Sequence, residues 1–354
     1  MKFKSWTILT VTSILLILAI FAGFMFIADP LLVFRKETDF FSYWHYNQLY
    51  ANPGIARNYE YDTVLTGSSM MSAVDTTDVD EIFGGDSVRL NFNSATIYNC
   101  KRILDICFEN NPDLKRVILS LDAFASTGPW DEPSFPLPEY LYEISAETYP
   151  SYLLSLDIFY HQIPINLIHT LRGHEKPIMD PASVDWVCGS DVVLKKYSPI
   201  DGSKVKPVNT DDYIQNAYDN LEYNLKPLFE EHPNTEFILF TPPYCVLNWD
   251  EKRYDGRFEA MMDVLEITVD GCDDYENVRI YSYMCEEEYI TNLDHYYDTW
   301  HYSPELAKEL LQRMSENDGR VTSESFNKEI EAFREFIRNF DYVAFYNSYK
   351  NGER

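Results

Sequence analysis

From Thr7 to Ala28 the chain carries no charged residue. As a helix rising 1.5 Å per residue, these 22 residues reach about 33 Å, enough to cross a hydrocarbon core of about 30 Å. Lys2 and Lys4 precede the run, and Trp6 suits a membrane interface. The basic flank predicts an N-terminus on the cytoplasmic side and the bulk of the chain outside. A cleaved signal peptide is the alternative. Against it, the run is longer than a usual signal core, and Phe24, Met25, Phe26 and Ile27 stand where a small-x-small cleavage site would be. Residues 1–28 thus read as a cytoplasmic stub and transmembrane anchor, with residues 7–28 in the bilayer.

The rest of the chain has the composition of a folded protein. Hydrophobic residues make up 45% and aromatics 16%, ample for a core. The formal charge of −28, from 29 basic and 57 acidic residues, argues against a nucleic-acid partner, since phosphates need a basic face. It also argues against adhesion of the folded part to anionic lipid. Cysteines at 100, 107, 188, 245, 272 and 285 form no C-x-x-C pair, so no zinc or redox motif is present. Cys272 and Cys285 are the best local candidates for a disulfide. No metal or cofactor is expected.

A juxtamembrane segment, residues 29–60, opens with the helix-ending Asp29-Pro30 and is rich in aromatics (Phe40, Phe41, Tyr43, Trp44, Tyr46). A β/α rhythm follows. Thr63–Leu65, Val88–Leu90, Arg116–Leu121, Glu236–Phe240 and Val278–Tyr281 read as strands, with helical spacing between them at Ile97–Cys107, Asp211–Glu231 and Phe258–Thr268. Pro227 is expected to kink or end the second of these helices. Two helices close the chain: one starts at Ser303-Pro304-Glu305, the other near Thr322 or Ser323. Strands and helices alternating in this way imply an α/β fold on a parallel sheet. Residues 61–345 read as one domain with a tail at 346–354. A Pro-punctuated excursion at about 123–209 reads as an insertion, either a lid or subsite wall or a purely structural detour.

The residues with chemistry sit at the two ends of this domain. Gly67-Ser68-Ser69-Met70 follows the first strand, where α/β sheets place ligands. Alone it reads equally well as a glycine turn with a serine N-cap. Asp298-Thr299-Trp300-His301 precedes the last helices. A serine hydroxyl needs a base to take its proton, and the base needs an acid to hold its tautomer. An Asp three residues before a His on a tight turn can supply both. His295 is a second candidate base. Arg57 and Asn58 could steady the site or simply pack. Thr241, Pro242, Pro243 and Tyr244 leave a strand on the carboxyl side and could line a pocket.

At these motifs the chain resembles the SGNH (GDSL-like) hydrolases. Within them it is most similar to a membrane-anchored branch of bacterial cell envelopes. That branch includes the D-alanyl transfer protein of teichoic acid modification and acetyltransferase-like partners of membrane-bound O-acyltransferases. Asp29-Pro30, Gly67-Ser68-Ser69-Met70, Phe240-Thr-Pro-Pro-Tyr244 and Asp298-Thr-Trp-His301-Tyr-Ser carry the resemblance, which covers roughly residues 29–345. It implies a three-layer α/β/α sandwich with a parallel, about five-stranded sheet and no metal. Ser69 would be the nucleophile, His301 the base and Asp298 its orienting acid, with Ser68 replacing the family's Asp. The glycine of the second block is missing from Asn91-Phe92-Asn93-Ser94-Ala95, where Asn93 or the backbone of Ser94 or Ala95 would have to serve. Asp122 stands where the third block has an Asn donor. The resemblance implies an anchored extracytoplasmic esterase or O-acyltransferase working on acyl groups of an envelope polymer. A weak or inactive scaffold beside a membrane-bound O-acyltransferase is the alternative, and a structural surface protein a third.

Overall fold

The computed structural model describes all residues except 1, 40–41, 45–46, 175–183, 185 and 353–354. Phe40, Phe41 and Tyr46 of the juxtamembrane aromatics lie outside the described residues. The chain divides into two compact units. One comprises Met1–Glu60, Asp105–Pro112 and Pro136–Pro181, the other Tyr61–Leu104, Asp113–Phe135 and Ala182–Arg354. Part of the excursion expected at 123–209 therefore belongs to the unit that begins with the N-terminal helix.

In that first unit, the helix Lys2–Ala28 is continuous. Its Phe3–Ala28 portion is long and apolar enough to cross a membrane. It stops at Asp29, which turns out of the helix with φ 37°. The Asp29 carboxylate is buried and accepts the N–H groups of Val33 (2.9 Å), Phe34 (2.9 Å) and Arg35 (3.2 Å), and the Tyr152 hydroxyl (2.9 Å). Burial raises its pKa, and these hydrogen bonds oppose the rise. The helix Gln48–Asn58 follows. Its Gly54 lies so close to the preceding segment that a Cβ would sit 2.0 Å from the Leu31 carbonyl. Arg57 donates to the carbonyls of Leu141 and Tyr142, and Asn58 to that of Leu32. Both residues pack this unit.

The second unit is built on a six-stranded sheet: β1 (Thr63–Thr66), β2 (Ser87–Arg89), β3 (Arg116–Ser120), β4 (Glu236–Thr241), β5 (Val278–Ser282) and β6 (Arg320–Val321), in the order β2-β1-β3-β4-β5-β6. The first five strands are parallel. They are buried almost throughout, as strands covered on both faces must be. β6 corrects the expectation of a wholly parallel, five-stranded sheet, because it pairs antiparallel with β5 through Ile280↔Val321 and Tyr281↔Arg320. A tight return makes this pairing, with Asn317 at φ 58° and Gly319 at φ 80°. A Cβ on Gly319 would meet the Tyr283 ring at 2.5 Å.

Right-handed crossovers on this strand order place the helix Thr76–Phe83 on one face of the sheet. The same rule places Tyr213–Asn220 and Arg257–Cys272 on the other. Contacts agree: Thr76–Phe83 packs on Pro304–Ser315, and Arg257–Cys272 packs on Tyr213–Asn220 and Ser323–Asn339. Pro227 does not end its helix. A π-turn over Leu221–Leu225 precedes it, and the helix resumes over Lys226–Glu231 with the proline in its first turn, where a missing N–H costs little. The chain order reverses between β1 and β3, and the carboxyl ends at that crevice are where open α/β sheets bind ligands. All six cysteines are free, so Cys272 and Cys285 are not bridged.

Replacing Asp29 by Ala strands three N–H groups, that of Val33 buried, and the buried Tyr152 hydroxyl. We expect a loss of about 2–4 kcal/mol, read as a lower thermal midpoint of the detergent-solubilised full chain.

Candidate active site

β1 ends at Gly67, whose φ is 135°. Only glycine fits there, since a Cβ would lie 2.1 Å from the Ser120 hydroxyl at the end of β3. The chain then enters a short 3₁₀ turn, Ser69–Ala73, capped by the Ser68 hydroxyl, which accepts the Met70 N–H at 3.1 Å. The capping function read in the sequence thus falls to Ser68, leaving Ser69 at the head of the turn and partly exposed. The Ser69 N–H has no acceptor among the described residues.

Ser69 Oγ lies 2.9 Å from His301 Nε2. His301 Nδ1 lies 2.9 Å from Asp298 Oδ2 and 3.0 Å from Oδ1. Asp298 also accepts the N–H groups of Trp300 (2.7 Å) and His301 (2.8 Å), which wraps the turn around the carboxylate. Burial would raise the Asp298 pKa, but the bonds and charge of His301 and these two N–H groups hold it below the ordinary range. The carboxylate therefore stays ionised at neutral pH, and its contribution to stability fades only as pH falls below the usual value of about 4. His295 lies elsewhere, its ring set edge-on to Tyr289 at 6.1 Å.

Of the other expected site residues, Ser68, Asp122, Pro243 and Tyr244 form a buried frame beneath this trio. Asp122 accepts the Ser120 hydroxyl (2.8 Å), the Ser68 N–H (3.4 Å) and the Tyr244 hydroxyl (2.8 Å). Burial raises its pKa, and those three donors work against the rise. Tyr244 is itself buried, and its hydroxyl also receives the Ala123 N–H at 3.3 Å. The Pro243 carbonyl accepts the Tyr296 hydroxyl at 3.2 Å. Asn93 and Ser94 are exposed. They are drawn beside the Ser69 turn by the bond from Phe92 N–H to Gly67 O, at 3.0 Å. Ser94 adopts φ 53°, a conformation glycine favours.

Three contributors escaped the sequence reading. Asn91 is buried and donates to Ser68 O (3.0 Å) and Ser72 Oγ (3.1 Å), bracing the turn from below. The fully buried Arg89 gathers the carbonyls of Met71, Ser72 and Val74, where the 3₁₀ turn ends. Trp186 stacks on Tyr297 and lies 4.8 Å from the His301 ring, so one stretch of the expected insertion flanks the trio. On its other side Trp300 meets Phe124 and Tyr244 edge-on, with Lys252 Nζ 4.3 Å from its ring centre. Among the described residues no cluster of His, Cys, Asp and Glu side chains is arranged to hold a metal.

No family model matches the chain, and no curated protein matches it. One solved structure that aligns with it is provisionally described as a platelet activating factor from Streptococcus pneumonia. Its TM-score is 0.39 and its identity 10%, over 76% of this chain and 89% of that one.

Two outcomes follow from the frame. Asp122→Asn turns an amide N–H₂ towards groups that all donate, and should cost about 1–3 kcal/mol in a denaturation measurement. Burial lowers the Lys252 pKa to about 8. Between that value and the ordinary one of about 10.4 the unfolded chain holds a proton that the folded chain lacks, so this lysine's share of stability grows as pH rises. The thermal midpoint of the wild type should therefore gain on that of Lys252→Met as pH is raised across that window.

Proposed function

We propose that this chain is a membrane-anchored serine esterase or O-acyltransferase of the SGNH type, acting outside the cytoplasmic membrane on acyl groups of a cell-envelope polymer. The observation behind the reading is the continuous chain Ser69 Oγ–His301 Nε2 (2.9 Å) and His301 Nδ1–Asp298 (2.9 Å) at the switch point of the sheet. Support for the location comes from the N-terminal helix with its basic flank. The substrate class follows from the resemblance to the envelope branch.

In this mechanism Ser69 Oγ attacks the acyl carbonyl as His301 Nε2 takes the hydroxyl proton, and Asp298 stabilises the imidazolium. The tetrahedral oxyanion accepts the Ser69 N–H and a backbone N–H from the Ser94–Ala95 segment, whose amides have no acceptor among the described residues. Collapse breaks the bond to the leaving alkoxide, which receives the proton from His301. Water or an acceptor hydroxyl then attacks the acyl–serine ester with the same base. Its proton passes through His301 back to Ser69. Which nucleophile arrives decides between hydrolysis and transfer.

The second reading is a scaffold that assists a membrane-bound O-acyltransferase. It is favoured by Asp122, an acceptor committed to three internal donors where an Asn donor would complete the oxyanion hole.

A fluorophosphonate probe separates the two. We expect covalent labelling of the wild type and none of Ser69→Ala, with acyl release lost in the same variant. Asp298→Asn should fall by about 10⁴-fold in turnover while folding normally. An unlabelled wild type would favour the scaffold.

A further inference from the structure

The helix Leu156–Arg172 is amphipathic the wrong way round for a water-facing surface. Leu156, Tyr160, Pro164, Leu167, Ile168 and Leu171 follow the i, i+4, i+8 rhythm of one helix face and are all exposed, Leu171 to 78% and Tyr160 to 66%. The polar residues Gln162 and Asn166 are buried. They are bonded inward: Gln162 Nε2 donates to Trp44 O (2.7 Å), and Asn166 Oδ1 accepts the Trp44 N–H (3.0 Å). The Thr170 hydroxyl accepts the Ser42 N–H at 2.7 Å, and Trp44 stacks on His169. The polar residues Gln162, Asn166 and Thr170 are thus pinned to the juxtamembrane segment, and the outward side is apolar apart from the exposed ion pair Asp157–His161 (3.0 Å) in the first two turns.

The same helix touches the membrane anchor. Phe159 packs on Phe21 and Phe24, with ring centres 5.1 and 6.0 Å apart. Those phenylalanines lie about 10 Å and 6 Å before the end of the anchor helix at Ala28, at 1.5 Å per residue. An anchor that spans the bilayer therefore carries Phe159 below the level of its own outer end, into the leaflet on that side. Ile17, Ile20, Phe21, Phe24 and Phe159 also line an apolar groove of about 490 Å³ between the two elements, of a shape and polarity that lipid tails fill.

We infer that Leu156–Arg172 is a second membrane element. It lies in the interface of the outer leaflet, its apolar stripe is immersed among acyl chains, and Asp157, His161 and Arg172 border the headgroups. The occupant of the stripe is phospholipid, because the stripe is continuous with the lipid-facing surface of the anchor. The inference rests on the anchored location proposed above. It adds that the chain is held at two points, so its first unit is fixed in height on the membrane rather than tethered by a single flexible pivot.

The test uses the full chain with the two cysteines that are not fully buried removed (Cys188→Ser and Cys285→Ser). A single new cysteine is placed by Leu167→Cys, Leu171→Cys or His161→Cys, with Leu15→Cys in the anchor and Lys328→Cys on the exposed face of Ser323–Asn339 as references. Each protein is labelled with the fluorophore NBD and reconstituted into phosphatidylcholine vesicles with or without doxyl-labelled phosphatidylcholine. We expect blue-shifted emission at 167 and 171, quenched by the doxyl lipid to the degree seen at 15. Emission at 161 should be redder and less quenched, and that at 328 unquenched. If 15 is quenched while 167 and 171 emit as in water, this inference is overturned and the anchor stands. Blue-shifted but unquenched probes at 167 and 171 mean that protein, such as a second copy, covers the stripe, which also overturns it. An unquenched probe at 15 removes the anchor and this inference with it. All five labelled positions are exposed, so no label opens a core.

Discussion

Ser69 is placed by a carboxylate it never touches. Asp122 holds the ends of β1, β3 and the loop after β4 together through Ser68, Ser120 and Tyr244. Sequestering a carboxylate from water costs several kcal/mol unless its lone pairs are filled; here three donors converge on it from three separate strand ends. Ser120 can reach Asp122 only because nothing projects from Gly67, so glycine, serine and aspartate form one packing solution. Asn91 and Arg89 complete it from the β2 side by taking the carbonyls of the same turn. The direction of the Ser69 hydroxyl is therefore set by a buried polar network, and the two outward hydrogen bonds, to His301 and on to Asp298, are laid on that platform.

What could be read from the chain beforehand follows from how local each signal is. β1, β3, β4 and β5 are apolar runs with turn residues after them, and they appear where their patterns say. Asp298 and His301 are three residues apart, so a single tight turn explains their meeting, and Ser69 follows a strand–glycine signal of its own. β6 is two residues long between helices, too short for any alternation to show. Asn91 is buried and Asn93, two residues on in the turn where the chain surfaces, is exposed, a distinction of one pleat. Arg89 looks like a break in an apolar strand, because its reason is a set of carbonyls some fifteen residues away. The grouping of 136–181 with 1–60 has no local signature at all.

Asp29 shows the same device at another place in the chain. A helix ends, the backbone turns through a left-handed residue, and one buried carboxylate collects the N–H groups that the turn leaves over. Asp-Pro reads in sequence as a stop signal only. The structure adds that the stop is organised: Asp29 satisfies three amides and the Tyr152 hydroxyl. In both units a polar centre, rather than further apolar burial, fixes the direction in which the chain leaves a regular element.

Helical periodicity reports that an apolar stripe exists but is silent on what faces it. For Pro304–Ser315 the stripe of Leu306, Leu310, Leu311 and Met314 is buried, the ordinary outcome. For Leu156–Arg172 the stripe is outside, and the decisive observation is where the opposite face spends its hydrogen bonds. Gln162 and Asn166 would find no partners in the bilayer interior, whereas here Gln162 Nε2 and Asn166 Oδ1 are bonded to the Trp44 backbone. A helix facing water would gain nothing from this arrangement. It would expose five large apolar side chains while withdrawing two amides that water solvates freely. The arrangement is favourable only where the exterior is apolar, and the contact of Phe159 with Phe21 and Phe24 puts this helix beside the N-terminal helix, which is long and apolar enough to cross a membrane.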